Sequence, residues 1–129
     1  MAYDIAFLVG RIFVGVFFLM NGFNHFMKYN MMKGYASSKN VPAAGLAVVV
    51  SGLLLVLGGA SILLGVWPTV GVVLLLVFLV PTTLMMHNFW AVGEQEKMNQ
   101  MIQFMKNTAL VGFLLMILAV AQPWVYSLF

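Results

Sequence analysis

Four apolar runs, separated by two polar loops and one tight turn, make up most of the chain. A hydrocarbon core about 30 Å thick takes roughly 20 apolar helical residues per crossing. On that measure the pattern predicts spans over about 4–27, 43–66, 68–90 and 106–126. Barrel strands run about 10 residues and alternate apolar with polar. The stretch from Ala43 to Trp67 is far longer and does not alternate. Only a helix closes its backbone hydrogen bonds within one such segment. The expected fold is therefore an all-α membrane protein, an up-down bundle of four transmembrane helices, forming a single domain over 1–129.

Within the spans, the spacing of small and polar residues predicts how helices meet. Ala44, Ala47, Ser51, Gly58, Ser61 and Gly65 form a stripe down one face of span 2, broken only by Leu54. Small residues let helix backbones approach in lipid, where the hydrophobic effect does not drive helices together. The stripe predicts close packing within the bundle, with a subunit interface as the other use of such a face. Trp67-Pro68 is too short for anything but a hairpin between spans 2 and 3. Pro68 suits a first helical turn. Pro81 falls mid-span, where it frees the carbonyl of Val77, and Thr82 and Thr83 follow with hydroxyls able to re-satisfy it. In the first loop, Tyr29, Met31, Met32 and Tyr35 lie among lysines, the pattern of a short amphipathic helix at the headgroup level. Met98, Met101, Ile102 and Met105 predict a second such helix leading into span 4. At the end, Pro123 is expected to stop span 4, and Trp124 and Tyr126 to anchor the interface.

Composition agrees with a lipid solvent. Charged residues are 7% of the chain, against roughly 25% in soluble domains. The first run lacks a basic start and a cleavage pattern, so it reads as a span and not as a leader. There are no cysteines, which excludes thiolate metal sites, iron–sulfur ligation and dithiol chemistry by this chain. The net charge of +3 is not a nucleic-acid signal, because Lys28, Lys33, Lys39, Lys97 and Lys106 lie in or beside the two polar loops. Lysines at that level set topology and meet anionic lipid. The opposite side holds only Arg11, so the loops are expected in the cytoplasm and both termini outside.

Few residues carry candidate chemistry. Arg11, two turns into span 1, is a charge at membrane depth. It either snorkels outward and pairs with Asp4, or it faces the bundle as a fixed cation for an anionic group, with Ser61, Thr69 and Gln122 at its level. At the other end, spans 1 and 3 finish side by side. That brings Asn21, His25, Thr83, His87 and Trp90 to one level with Lys106 and Asn107. These residues read either as helix-end polar groups bonded between spans, or as a pocket for the polar head of a lipid or quinone. A haem between the two histidines is not expected, since neutral structural histidines are common. The eleven methionines are scattered and read as packing residues, and no metal site is expected.

Four segments carry a family resemblance. In span 1 these are Gly10-Arg11, Gly15 and Asn21-Gly22-Phe23-Asn24-His25-Phe26. Span 2 adds Gly58-Gly59-Ala60-Ser61-Ile62-Leu63-Leu64-Gly65, span 3 Met86-His87-Asn88-Phe89-Trp90, and span 4 Phe104-Met105-Lys106-Asn107-Thr108-Ala109-Leu110-Val111-Gly112. In this order the chain resembles the DoxX family of small four-span membrane proteins over nearly its whole length. The resemblance implies a four-helix membrane fold. It also implies an association with redox complexes, since relatives include a subunit linked to thiosulfate:quinone oxidoreduction. Many members carry an acidic residue just before the paired glycines of span 2; Leu55 stands about there here, with no carboxylate, which counts against carrying over a proton-coupled role.

Two functions follow as expectations. One is a non-catalytic accessory or structural subunit of a larger membrane complex, respiratory or redox-linked, contacting lipid and other membrane subunits, with self-association left open. The other is a quinone-binding component of an oxidoreductase, with Asn21, His25, His87, Trp90 and Lys106 around the quinone head. A prokaryotic cytoplasmic membrane is the expected location.

Overall fold

The computed structural model describes residues 1–128. Five α-helices follow one another: α1 (Ala2–Met27), α2 (Tyr29–Ser38), α3 (Ala44–Leu64), α4 (Pro68–Met86) and α5 (Glu94–Ile117), with a 3-10 turn at Phe89–Ala91. Four of them are long and apolar enough to cross a membrane. No strand occurs among the described residues. The chain is an all-α, four-span membrane protein.

α3 sits between α1 and α4, and α4 carries α5 on its other side. The interior is built from Phe18, Leu55, Val72, Leu75, Leu79 and Leu114. Many outward positions are equally apolar, Phe13, Leu57, Val77 and Met116 among them. That inversion is what a lipid solvent permits, since tails are as apolar as leucine.

Glycines set the closest approach. A methyl group at Gly15 would stand 2.7 Å from Leu63 Cβ and 3.0 Å from the Gly59 carbonyl oxygen. One at Gly22 would meet Val56 and the Gly52 carbonyl. Thus α1 and α3 cross antiparallel, glycine over glycine, at two points seven residues apart on each helix. On another face of α3, Gly58 receives Leu75 of α4, and Ser61 lies against Gly71. The stripe read from span 2 therefore packs inside the bundle at Gly58 and Ser61. Gly65, with φ 72°, ends α3 in the left-handed region and lies against Ser127 and Arg11. Ser51 lines a cavity.

Three boundaries differ from the expected ones. α4 stops at Met86, because the chain opens at His87-Asn88 before the 3-10 turn. α5 starts at Glu94, so the predicted amphipathic segment and span 4 are one continuous helix. It ends at Ile117, well before 126. Pro123, with no N–H to donate to a carbonyl four residues back, keeps the helix from resuming beyond it. The freed segment folds back, and Trp124 is buried at 3% exposure instead of anchoring an interface. Thr83 differs as well. Its buried hydroxyl has no partner among the described residues, so it does not repair the backbone at Pro81.

Candidate functional site

The ends of α1 and α4, the C-terminal part of α2, the first half of α3 and the middle of α5 line a cavity of about 510 Å³. α5 packs on α4 and α1 packs on α3, which leaves this space between them. Its walls are apolar, with Phe17, Phe78, Leu54 and Leu110 among them. Its polar lining gathers toward the loop side as Asn21, His25, His87, Gln103, Lys106 and Asn107. Four of the five residues expected around a bound head therefore meet in one place. The fifth, Trp90, does not. The 3-10 turn swings it out to 57% exposure, where it packs edge-on against Phe89 and Phe104.

The histidines are each held by one nitrogen. His25 Nδ1 lies 2.8 Å from the Asn21 carbonyl oxygen, and the ring packs edge-on to Phe78. Asn21 turns its own amide back to the Phe17 carbonyl, 2.8 Å away. His87 Nδ1 lies 2.8 Å from Gln100 Oε1. Gln100 Nε2 donates to the Tyr35 hydroxyl at 2.9 Å, and that hydroxyl reaches the Met86 carbonyl at 3.4 Å. This chain of bonds ties α2, α4 and α5 together over the cavity mouth. Lys39 reinforces it by donating to Asn88 Oδ1 at 3.2 Å. Lys106 Nζ stands 5.7 Å from the centre of the Phe17 ring. Asn107 is buried at 6% exposure. None of the three carboxylate side chains, Asp4, Glu94 and Glu96, lines the cavity.

Arg11 occupies the opposite end of the bundle, where it faces inward and does not pair with Asp4. Asp4 pairs with the N-terminal amine at 3.8 Å. Ser61 bonds to the Val66 carbonyl, and Gln122 bonds to Thr69, so none of the polar residues at its level is its partner. The guanidinium is buried at 3% exposure. It donates to the carbonyls of Ile62 and Leu63, at 3.2 and 3.0 Å, and to those of Val125 and Tyr126. The rings of Phe7 and Trp124 lie beside it. A backbone bond from Leu128 to the Leu64 carbonyl, 3.0 Å, runs alongside. Arg11 therefore clasps the C-terminal segment to the end of α3. Helix-end carbonyls are orphaned acceptors at the negative end of a dipole, which is why a cation is stable there without a carboxylate.

The DoxX family model matches residues 6–88, more than half of the chain. The chain belongs to the DoxX family. This DoxX chain is 28% identical over 121 residues to the inner membrane protein YphA of Escherichia coli (strain K12), an alignment covering 94% of this chain and 86% of the relative. No solved structure matches it. The family match ends at residue 88, so Gln103, Lys106 and Asn107 of the DoxX cavity, and Gln100 beside His87, lie beyond it.

Tyr35 was read only as an aromatic at the headgroup level, and Gln100 and Gln103 carried no role in the sequence reading. Their signal was present. Gln100, Gln103 and Asn107 fall at helical spacing on one face, opposite the exposed Met98, Ile102 and Met105. Placing the start of span 4 at 106 cut that face in two.

Proposed function

We propose that this DoxX-family protein is a small, non-catalytic membrane subunit that holds the polar head of a quinone-class amphiphile for a redox complex. One observation carries the reading: a cavity of about 510 Å³ joins apolar walls to convergent imidazole, amide and ammonium groups. Small-molecule sites have this make-up, mostly apolar with a few placed polar groups, within roughly 300–1,000 Å³. The subunit role is supported by the chemistry the cavity lacks. It contains no carboxylate to act beside the histidines. Substituting alanine at both His25 and His87 is expected to weaken binding of a short-chain ubiquinone to the purified protein at least about tenfold, the worth of one or two hydrogen bonds. Unchanged binding in the double variant overturns the head-binding reading. Migration of the protein alone on native gels from unmodified membranes overturns the subunit reading and leaves the cavity reading standing.

The relative named as an inner membrane protein supports a bacterial cytoplasmic membrane for this chain as well. The loops face the cytoplasm in this reading. Five lysines lie on that side, whereas Arg11 is spent internally on carbonyls, leaving the other face with no basic side chain. With no native cysteine, single thiols report sidedness cleanly. Asn30→Cys is expected to react with an impermeant maleimide only after permeabilisation, and Trp67→Cys in intact cells. The reverse pattern inverts the topology.

A further inference from the structure

We infer that the cavity is built to prefer the reduced, hydroxyl-bearing head of its ligand, a hydroquinone, over the oxidised quinone. The inference rests on the quinone-class reading above and concerns which redox form is held. A backbone carbonyl only accepts hydrogen bonds. His25 Nδ1 faces the Asn21 carbonyl, so Nδ1 carries the proton. For His87 the direction is settled at the far end of its chain. Tyr35 donates its one hydroxyl hydrogen to the Met86 carbonyl. Its oxygen must then accept from Gln100 Nε2, which turns Gln100 Oε1 toward His87 and makes Nδ1 a donor again. In both neutral rings Nε2 is therefore an unprotonated acceptor. The Nδ1 edges are engaged with the protein, and the Nε2 edges are what the rings have left to offer the cavity.

A ligand hydroxyl donates to such a nitrogen and still accepts from Lys106 or Asn107. A quinone carbonyl can only accept. It is served by Lys106 and Asn107 but gives the Nε2 lone pairs of the two half-buried rings no donor. Sites built to bond a substrate hydroxyl discriminate strongly against analogues lacking it, because their own polar groups are then orphaned. The two donors do not separate the redox forms, and the two imidazoles do.

The test compares ubiquinol-1 and ubiquinone-1 binding to the full-length protein in phosphatidylcholine nanodiscs at pH 8, where imidazole is ordinarily neutral. Ubiquinol is expected to bind at least about tenfold tighter, which for a two-electron couple raises the midpoint potential of the bound pair by about 30 mV. Gln100→Leu removes the acceptor that orients His87 without altering a cavity-lining residue, and is expected to bring the two affinities closer together. Equal binding, or tighter binding of the quinone, overturns the inference and leaves the quinone-class reading intact. Binding of neither form overturns both. A Gln100→Leu protein that binds quinol and keeps the full preference shows that the Tyr35–Gln100–His87 chain does not set it.

Discussion

Arg11→Leu should detach the C-terminal segment and destabilise the protein by roughly 2–4 kcal/mol, although it makes the first span more hydrophobic. Two effects oppose each other. An arginine at membrane depth costs about 3 kcal/mol on insertion scales, a cost the leucine removes. Against this, the variant strips a charged donor from four carbonyls, two at the end of α3 and two in the segment that folds back. Individual hydrogen bonds inside membrane proteins average about 0.6 kcal/mol and reach about 1.7. Charge-assisted ones stand at the upper end, and buried acceptors left bare add their own penalty. The Phe7 and Trp124 rings, 5.2 Å apart at their centres, also lose the cation beside them. The loss should therefore exceed the gain. Arg11→Lys should recover part of it, because an ammonium restores the charge but not the planar fork that serves several carbonyls. A single thiol at Ser127→Cys reports the outcome directly. It should react with maleimide several-fold faster in the Arg11→Leu background, with a lower midpoint of thermal unfolding in detergent. An unchanged midpoint together with a protected thiol means that the clasp holds nothing.

Gly59→Val should be the more damaging change, at about 3 kcal/mol or more. A β-carbon at Gly59 would stand 2.9 Å from the Leu19 amide nitrogen and 3.0 Å from the Gly15 carbonyl oxygen. Both obstacles are backbone, so no side chain can rotate away. The helices must part, and contacts along the whole α1–α3 seam weaken together. Gly112→Ala is the matched control: an added methyl there would find nothing within 4 Å, and alanine favours a helix over glycine. It should be neutral or slightly stabilising. Equal thermal midpoints for Gly59→Val and Gly112→Ala would remove the glycine-on-glycine crossing as a cause of the fold.

The α1–α3 seam also shows why part of the packing escaped the sequence. The stripe through Gly58, Ser61 and Gly65 faces α4 and the C-terminal segment. The face that meets α1 carries Gly52 and Gly59, and its counterpart carries Gly15 and Gly22. Both pairs are spaced by seven, a period that fits two helices crossing along one seam. α3 thus has two small-residue faces, and a single stripe described only one of them. The cavity was legible at the level of chain direction. Helices running the same way end at the same height, which brought His25 and His87 together on topological grounds. Trp90 failed that reasoning because it assumed a helix running to residue 90, and the break at His87-Asn88 reorients everything after it.

The run lengths of apolar residues alone determined four crossings and a helical class, because in lipid an unpaired backbone group is too costly for any other spanning segment. They also determined which end of the molecule is basic. Only the folded chain decided how the polar minority is used. Whether Arg11 reaches water, a carboxylate or a row of carbonyls depends on where residues more than fifty positions away come to lie. Which nitrogen of His87 carries a proton depends on a tyrosine from a different helix. Hydropathy is a property of each segment by itself, whereas hydrogen-bond direction and close packing are properties of pairs, and the pairs exist only once the helices have met.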